Sequence, residues 1–139
     1  MLQTINPQQV IHLSGASQAI VIGDKDHLGQ VFINLMTNAI KYSPRANRID
    51  VVLARAGESA IVQVRDYGIG IPIAELEHIF ERFYRVHDGK GTTFPGLGMG
   101  LYICVEIVRQ HRGKITVESQ EGGGSTFTVT LPKAADVAP

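Results

Sequence analysis

Two stretches of the chain alternate apolar and polar residues on both sides of a short turn. Residues 48–54 (RIDVVLA) and 60–66 (AIVQVRD) flank the turn AGES, and residues 114–120 (KITVESQ) and 126–132 (TFTVTLP) flank the turn EGGGS. An alternation of period two predicts strands, and a short glycine-containing turn between two strands predicts a hairpin. Each strand then has one apolar face, and a sheet of such strands needs a second layer to bury it.

Helical periodicity supplies the second layer. Asp24 or Asp26 is suited to cap a helix that ends at Pro44. The apolar stripe of this helix consists of Leu28, Val31, Phe32, Leu35, Ala39 and Ile40. We predict a short helix over about Ile73–Phe80 and a second long helix with Gly113 as its C-cap. The apolar stripe of that second long helix consists of Leu101, Cys104, Val105 and Val108.

The order of these elements predicts the fold class. The alternating segments VIHL (10–13) and QAIVIG (18–23) precede the first helix, so the order is strands, helix, hairpin, helix, loop, helix, hairpin. We expect an α/β protein, a two-layer α/β sandwich with a mixed sheet of about five strands and about three helices on one face. The 139 residues suit a single domain, 1–139, with its core at about 17–132 and a frayed tail at 133–139.

The composition excludes several classes of protein. Hydrophobic residues make up 44% of the chain and charged residues 19%, which excludes a disordered chain, and the zero net charge argues against a general nucleic-acid or acidic-membrane surface. Cys104 is the one cysteine, so neither an internal disulfide nor a multi-cysteine zinc site can form. No apolar run approaches the ~20 residues of a membrane span. We expect a cytoplasmic domain with no direct membrane contact, although a longer parent protein can be membrane-anchored.

A polar stripe interrupts the first long helix in the segment NLMTNAIKYSP (34–44). At 100° per residue, Gln30, Asn34, Asn38 and Lys41 fall within roughly an 80° sector beside the apolar stripe. A solvated helix face would gain more from Glu, Lys or Gln than from asparagine, which is a poor helix former. Paired amides with a lysine instead suit oxygen ligation of a hard cation and donation to a polyphosphate.

Two glycine motifs and an arginine-rich segment follow. In RDYGIGIP, Asp66 is suited to accept a hydrogen bond from the exocyclic amine of adenine, where guanine offers a carbonyl, and its glycines allow close approach to a flat ring. GLGMGL (96–101) precedes a helix, where free backbone N–H groups suit phosphate. Neither the Rossmann context nor the P-loop pattern is present. In FERFYR, Arg82 and Arg85 are natural partners for a terminal phosphate.

The four motifs together resemble, in order and spacing, the N, G1, F and G2 boxes of sensor histidine kinases, and GGGSTFTVTLP resembles the closing strand of the same domain. The resemblance covers residues 17–132 and implies the Bergerat fold shared with gyrase and MutL. It implies a catalytic domain that binds ATP and Mg²⁺ and transfers the γ-phosphate to a histidine. The implied partners are a histidine-bearing dimerisation domain of the same parent protein and a response regulator, with no nucleic acid.

The resemblance also implies residue roles. Asn38 would coordinate Mg²⁺ that bridges the ATP phosphates. Asn34, Lys41 and Arg85 would act on the phosphates, with Arg85 at the γ-phosphate and Tyr42 lining the nucleotide. Asp66 would read the adenine amine, and Thr126 would help to bind adenine through water. The adenine end would be shaped by Gly68, Gly70 and Ile71, and the lid would close through Gly96, Leu97, Gly98, Met99, Gly100 and Leu101.

The sequence departs from whole sensor kinases in one respect. The acceptor histidine of that family lies on a helix and is followed by an acidic residue and, shortly after, a proline. Of the five histidines here, only His87 precedes an acid, and it lies in the glycine-rich segment HDGKGTTFP with a different spacing. We therefore expect the donor half of the reaction alone. Two alternatives stay open: an anti-sigma-type serine kinase of the same fold and a non-catalytic ATP-sensing module.

Overall fold

The computed structural model describes residues 10–15, 21, 23–41, 48–81 and 97–133. In chain order the elements are β1 (Val10–Gly15), α1 (Lys25–Lys41), β2 (Arg48–Ala56), β3 (Ser59–Asp66), α2 (Ile73–Leu76), α3 (Leu97–Gln110), β4 (Lys114–Gln120) and β5 (Gly124–Pro132). No helix within these ranges combines the length and the apolarity needed to cross a bilayer.

The five strands form one mixed sheet in the order β1-β2-β3-β5-β4. Strands β2, β3, β5 and β4 pair antiparallel, and β1 pairs with β2 in parallel. Both hairpins predicted from the sequence are present, and the prediction of a mixed α/β sheet is confirmed. The strand predicted over 18–23 lies mostly outside the described residues, and Val21 and Gly23 belong to no strand.

The two faces of the sheet differ in chemistry, as β5 shows most clearly. Ser125, Phe127, Val129 and Leu131 are buried on one face, whereas the threonines between them are half-exposed. Successive side chains of a strand point to opposite faces, so this alternation defines an inner face under the helices and a polar outer face.

The core lies between the inner face and the helices. Leu35 of α1, Leu101 of α3 and Val129 of β5 are almost fully buried in one cluster, and burying each such side chain stabilises the fold by about 1.5–3 kcal/mol. The predicted stripes are largely confirmed, although Phe32, Ile40 and Val105 are only partly buried. Ile107, which the sequence analysis omitted from the stripe of α3, is buried.

Helix α2 is shorter than the predicted Ile73–Phe80. It ends at Leu76, and the chain continues in tighter turns in which His78 N donates to Glu75 O and Glu81 N donates to His78 O, each at 2.9 Å. These turns bring Ile79 into the core with no exposed surface and set Phe80 edge-on to Phe127. Burial of the two apolar side chains therefore takes precedence over continuation of the helix.

The ends of the long helices are fixed by specific caps. Asp24 caps α1, because its Oδ1 accepts hydrogen bonds from Asp26 N at 3.0 Å and His27 N at 3.1 Å. The predicted end at Pro44, the lid segment before residue 97 and the tail after residue 133 lie outside the described residues.

The prediction that Gly113 caps α3 needs correction. Gly113 N donates to Val108 O and Arg112 N donates to Arg109 O, the hydrogen bonds of a Schellman motif. The left-handed residue of that motif is Arg112, with φ 63°, rather than the glycine. Gly113 is needed for a different reason, because a Cβ there would lie 2.3 Å from Thr130 O.

Candidate functional site

The side chains of the polar stripe become more buried along α1. Gln30 is exposed, Asn34 is half-buried and Asn38 is only 5% exposed. A solvated helix face would expose all of these positions similarly. The gradient shows that the helix carries its asparagines from the surface into the interior.

Asn38 has a buried amide with an unmet hydrogen bond. Its Nδ2 atom has no hydrogen-bond partner among the residues that the structure describes. An unpaired buried donor costs about 1–3 kcal/mol and calls for an explanation. A 180° rotation about the Cβ–Cγ bond exchanges Nδ2 with Oδ1, so Asn38 can present either a donor or an oxygen ligand there.

This amide fits the magnesium role that the resemblance implies. Mg²⁺ in nucleotide sites is held by few protein oxygens, together with water and phosphate oxygens, and Asn38 offers one such oxygen. Within the described ranges, His, Cys, Asp and Glu side chains form no group of three or more suited to a metal ion.

Asn34 of α1 is a neighbour of Cys104 on the other long helix. The thiol of Cys104, which has no exposed surface, donates a hydrogen bond to Val31 O at 3.7 Å. Burial raises the pKa of Cys104 to about 11, and the Asn34 hydrogen bond acts in the opposite direction. Cys104 is therefore a neutral packing residue next to Asn34.

Asp66 ends β3 on the inner face and is 2% exposed. Its Oδ1 accepts a hydrogen bond from Gly68 N at 3.0 Å, which makes an Asx turn out of the strand. The hydrogen bond to the Asp66 carboxylate thus fixes the position of Gly68. A buried carboxylate at the start of a loop is the arrangement predicted for the adenine end.

Tyr67, the next residue, anchors the strand end on the outer face. Its hydroxyl donates to the Asp50 carboxylate, and its ring lies under the guanidinium carbons of Arg48 and Arg65, 5.3 and 4.7 Å from the centroid. The hydrogen bond to Asp50 raises the pKa of Tyr67 above its usual value, and burial adds to that shift. This cluster fixes the backbone from which Asp66 projects inward.

The loop after Asp66 packs against the turn between β4 and β5. Gly70 has φ 74°, and a Cβ there would lie 2.0 Å from Gln120 O. Gly122 N donates to Ile69 O at 2.7 Å. Position 70 thus requires glycine because the backbone of the β4–β5 turn passes close to it. The sequence analysis had attributed this requirement to the close approach of a flat ring.

Two serines that the sequence analysis did not single out complete this end of the site. Ser119 Oγ accepts a hydrogen bond from Ile71 N at 2.7 Å and lies 2.8 Å from Ser125 Oγ. Ser125 is 4% exposed, and Ile71 is buried in the core cluster. The alternation of β5 was the signal that could have identified Ser125, because it shares a face with Phe127.

The structure separates Thr126 from Asp66, although both were predicted to bind adenine. Thr126 pairs with Arg65 of β3 and Glu118 of β4, and the three residues line a depression on the outer face. Asp66 lies on the inner face, so Thr126 and Asp66 are on opposite sides of the sheet. The inner-face hydroxyl at this position belongs to Ser125.

The remaining predicted site residues divide into two groups. Leu97, Gly98, Met99 and Gly100 form the first turn of α3, and Leu101 is fully buried in the core. Lys41 is the last residue of α1. Tyr42, Arg82, Arg85 and Gly96 lie outside the described residues.

Comparison with known proteins gives one family. A family model described as "Histidine kinase-, DNA gyrase B-, and HSP90-like ATPase" matches residues 23–135. The sensor histidine kinase RppB of Synechocystis is 44% identical over 110 residues, which are 79% of this chain and 24% of RppB. The sensor histidine kinase WalK of Bacillus subtilis is 40% identical over 111 residues, 78% of this chain and 18% of WalK.

Solved structures agree with the sequence relatives. The catalytic domain of the histidine kinase ThkA superimposes with a TM-score of 0.78 at 27% identity, covering 96% of this chain and 85% of that one. The mycobacterial sensor histidine kinase MprB gives a TM-score of 0.74 at 31% identity, covering 88% and 84%. The chain spans a quarter or less of RppB and WalK. With the family model matching most of its length, this chain belongs to the histidine kinase-, DNA gyrase B- and HSP90-like ATPase family.

Proposed function

We propose that this chain is the ATP-binding catalytic domain of a sensor histidine kinase. It binds Mg-ATP and donates the γ-phosphate to a histidine on a separate dimerisation domain, in two-component signal transduction. The observation that carries the proposal is the buried Asn38 amide, whose Nδ2 finds no partner among the described residues. A ligand at that position offsets the cost of burying an unpaired amide.

The adenine end of the nucleotide binds at the junction of β3 with the following loop. Asp66 is buried and its backbone is anchored from the outer face through Tyr67. A carboxylate there accepts from the adenine amine, whereas a guanine carbonyl would face it as a second acceptor. This supports a preference for ATP over GTP.

The phosphate end lies along α1 and the start of α3. Asn34 lies next to Cys104 of α3, and we assign the phosphates to Asn34, Lys41, Arg82 and Arg85, with Tyr42 beside the nucleotide. The lid is assigned to residues 96–101. Phosphoryl transfer requires mainly positioning and charge neutralisation, and bound Mg²⁺ supplies part of that neutralisation.

The acceptor and the next partner come from elsewhere. The relatives are named sensor histidine kinases, and this chain corresponds to a quarter or less of the length of RppB and WalK. We infer that the acceptor histidine lies on a dimerisation domain of the same parent protein, that a response regulator takes the phosphate, and that this domain works in the cytoplasm.

Titration calorimetry of Asn38→Ala with ATP, with and without Mg²⁺, tests the proposal. We expect the wild-type chain to bind ATP more tightly with Mg²⁺ and the variant to lose that difference. The free energy of unfolding should stay constant or rise by up to about 1 kcal/mol, because alanine is the better helix former and removes the unpaired donor.

Gln30→Ala is the matched control, since Gln30 lies on the same stripe but is exposed. It should bind Mg-ATP like the wild type. A Mg²⁺ effect that persists at full size in Asn38→Ala would contradict the metal assignment, and a wild-type chain that binds no ATP would contradict the proposed function.

A further inference from the structure

Ser119 of β4 joins three parts of the adenine end through one hydroxyl group. Its Oγ atom accepts from Ile71 N at 2.7 Å, lies 3.1 Å from the carbonyl oxygen of Gly124 and lies 2.8 Å from Ser125 Oγ. The residue is half-buried, and nothing in the adenine and phosphate roles described above uses it.

The donors and acceptors in this cluster can be counted. A serine hydroxyl has one proton and two lone pairs, and a carbonyl oxygen only accepts. The Ser119 proton therefore goes to Gly124 O, and one of its lone pairs is taken by Ile71 N–H. The contact with Ser125 then requires Ser125 to donate, so the Ser125 proton points to Ser119.

Ser125 lies beside Asp66. Arg65 of β3 is paired with Thr126 of β5, and the antiparallel register carried on by one residue sets Asp66 opposite Ser125. Both side chains are buried on the inner face, and such cross-strand neighbours have Cβ atoms about 4.5–5.5 Å apart. Gly124 also lies close, since a Cβ there would meet Asp66 O at 2.1 Å.

We propose that Ser119 is a positioning residue that determines nucleotide specificity. Its hydroxyl group holds the Ile71 amide and turns the Ser125 proton away from the base. The Asp66 end of the site then offers the base only hydrogen-bond acceptors. The inference rests on the proposed ATP-binding function. An acceptor-only end pairs with the amine of adenine and opposes the carbonyl of guanine. Ser119 thus extends the discrimination by Asp66 without touching the nucleotide.

Removal of the Ser119 hydroxyl frees the Ser125 proton to turn toward the base. Ser119→Ala should therefore bind Mg-ATP more weakly and discriminate less against Mg-GTP. The dissociation constant for Mg-GTP divided by that for Mg-ATP should fall by roughly tenfold. Hydrogen exchange at the Ile71 amide should accelerate, because the amide loses its acceptor. Ser119→Thr retains a hydroxyl and should preserve the wild-type ratio.

The experiment is calorimetric titration with Mg-ATP and Mg-GTP. Thr116→Val is the control, because Thr116 lies on the same strand but is exposed on the outer face; its ratio should match the wild type. If Ser119→Ala does not fold, Ser119→Cys carries the test, since a thiol is a weak donor and acceptor, and its ratio should narrow too.

An unchanged ratio in the hydroxyl-free variant, or equal narrowing in Ser119→Thr, would overturn the inference while leaving ATP binding by the wild type intact. A proportional loss of affinity for both nucleotides would also overturn it, because that result indicates packing alone. A wild-type chain that binds neither nucleotide would overturn the proposed function and this inference with it.

Discussion

Cys104 shows how a single buried side chain can serve both the core and the site. It has no exposed surface, and its thiol lies between the Val31 carbonyl of α1 and the Asn34 side chain. Burial raises its pKa to about 11, so the thiolate that would make it reactive does not form near neutral pH. Its contribution is to fill the core next to Asn34, whose side chain opposes part of the rise in the Cys104 pKa.

The raised pKa predicts a specific loss of stability at high pH. The folded protein holds the Cys104 proton up to about pH 11, whereas the unfolded chain releases it near the ordinary value of 9.0. The folded state thus binds more protons between these values, and stability from this group is complete below pH 9 and lost as pH rises through 11. The loss should reach about 2–3 kcal/mol.

Urea unfolding of wild type and Cys104→Ala at pH 8 and pH 11 measures this loss. Other groups titrate equally in both proteins, so the stability advantage of the wild type should shrink at pH 11. An advantage that is the same at both pH values would contradict the linkage.

The two long helices are fastened to each other by His111 after the end of α3. His111 Nε2 accepts a hydrogen bond from Asp24 N at 2.9 Å, and Nδ1 donates to Ile107 O at 2.7 Å, which defines one neutral tautomer. Gly23 passes so close that a Cβ there would lie 2.3 Å from His111 Cδ2. Since α1 carries the asparagines and α3 begins in the glycine motif, this contact helps to fix the two helices that carry the candidate site residues relative to each other.

His111→Ala should therefore cost about 1–2 kcal/mol in the free energy of unfolding, because Asp24 N–H and Ile107 O both lose a partner. Urea denaturation measures the cost, and hydrogen exchange at the Asp24 amide should accelerate. Arg109→Ala is the control at the same helix end. Its exposed ion pair with Glu106 should contribute less than about 0.5 kcal/mol. Equal effects of the two substitutions would contradict the role of His111.

Local patterns predicted the elements better than they predicted the contacts between elements. Both hairpins and the two long helices follow from periodicity, because each buries one face of its own. Helix α2 ends early because the chain must turn to place Ile79 in the core. The local sequence pattern does not indicate where that contact with the core is made. Thr126 and Ser125 are neighbours on β5, and a shift of one residue in strand phase moves a side chain to the other face of the sheet.

The sequence analysis selected Asn38 and Asp66 as candidate ligand-binding residues from their residue types and neighbouring motifs. The structure buries both side chains. Ser119 and Gly70 gain their roles from the packing of the loop after Asp66 against the β4–β5 turn. Those contacts join residues about fifty positions apart, so they depend on the assembled sheet.

At the scale of the whole molecule, the proposed site draws its residues from α1, the end of β3, the β4–β5 hairpin and the start of α3. These parts come together only in the folded chain, so a ligand that binds them should stabilise the fold in proportion to its occupancy. On the outer face, the Tyr67 cluster anchors the end of β3, from which Asp66 projects to the inner face. In the function proposed above, the molecule is a donor module and its acceptor histidine lies on a separate domain.

Transfer from γ-labelled ATP tests this account most directly. The chain is incubated with Mg-ATP, alone and with the histidine-bearing dimerisation domain, and the product is treated with acid and with base. We predict no labelling of the chain alone and slow, acid-labile, base-stable labelling of the added domain, because docking is then bimolecular. Arg85→Ala should reduce this transfer more than it reduces ATP binding. Acid-stable label on the partner, or strong labelling of the chain alone, would contradict the account.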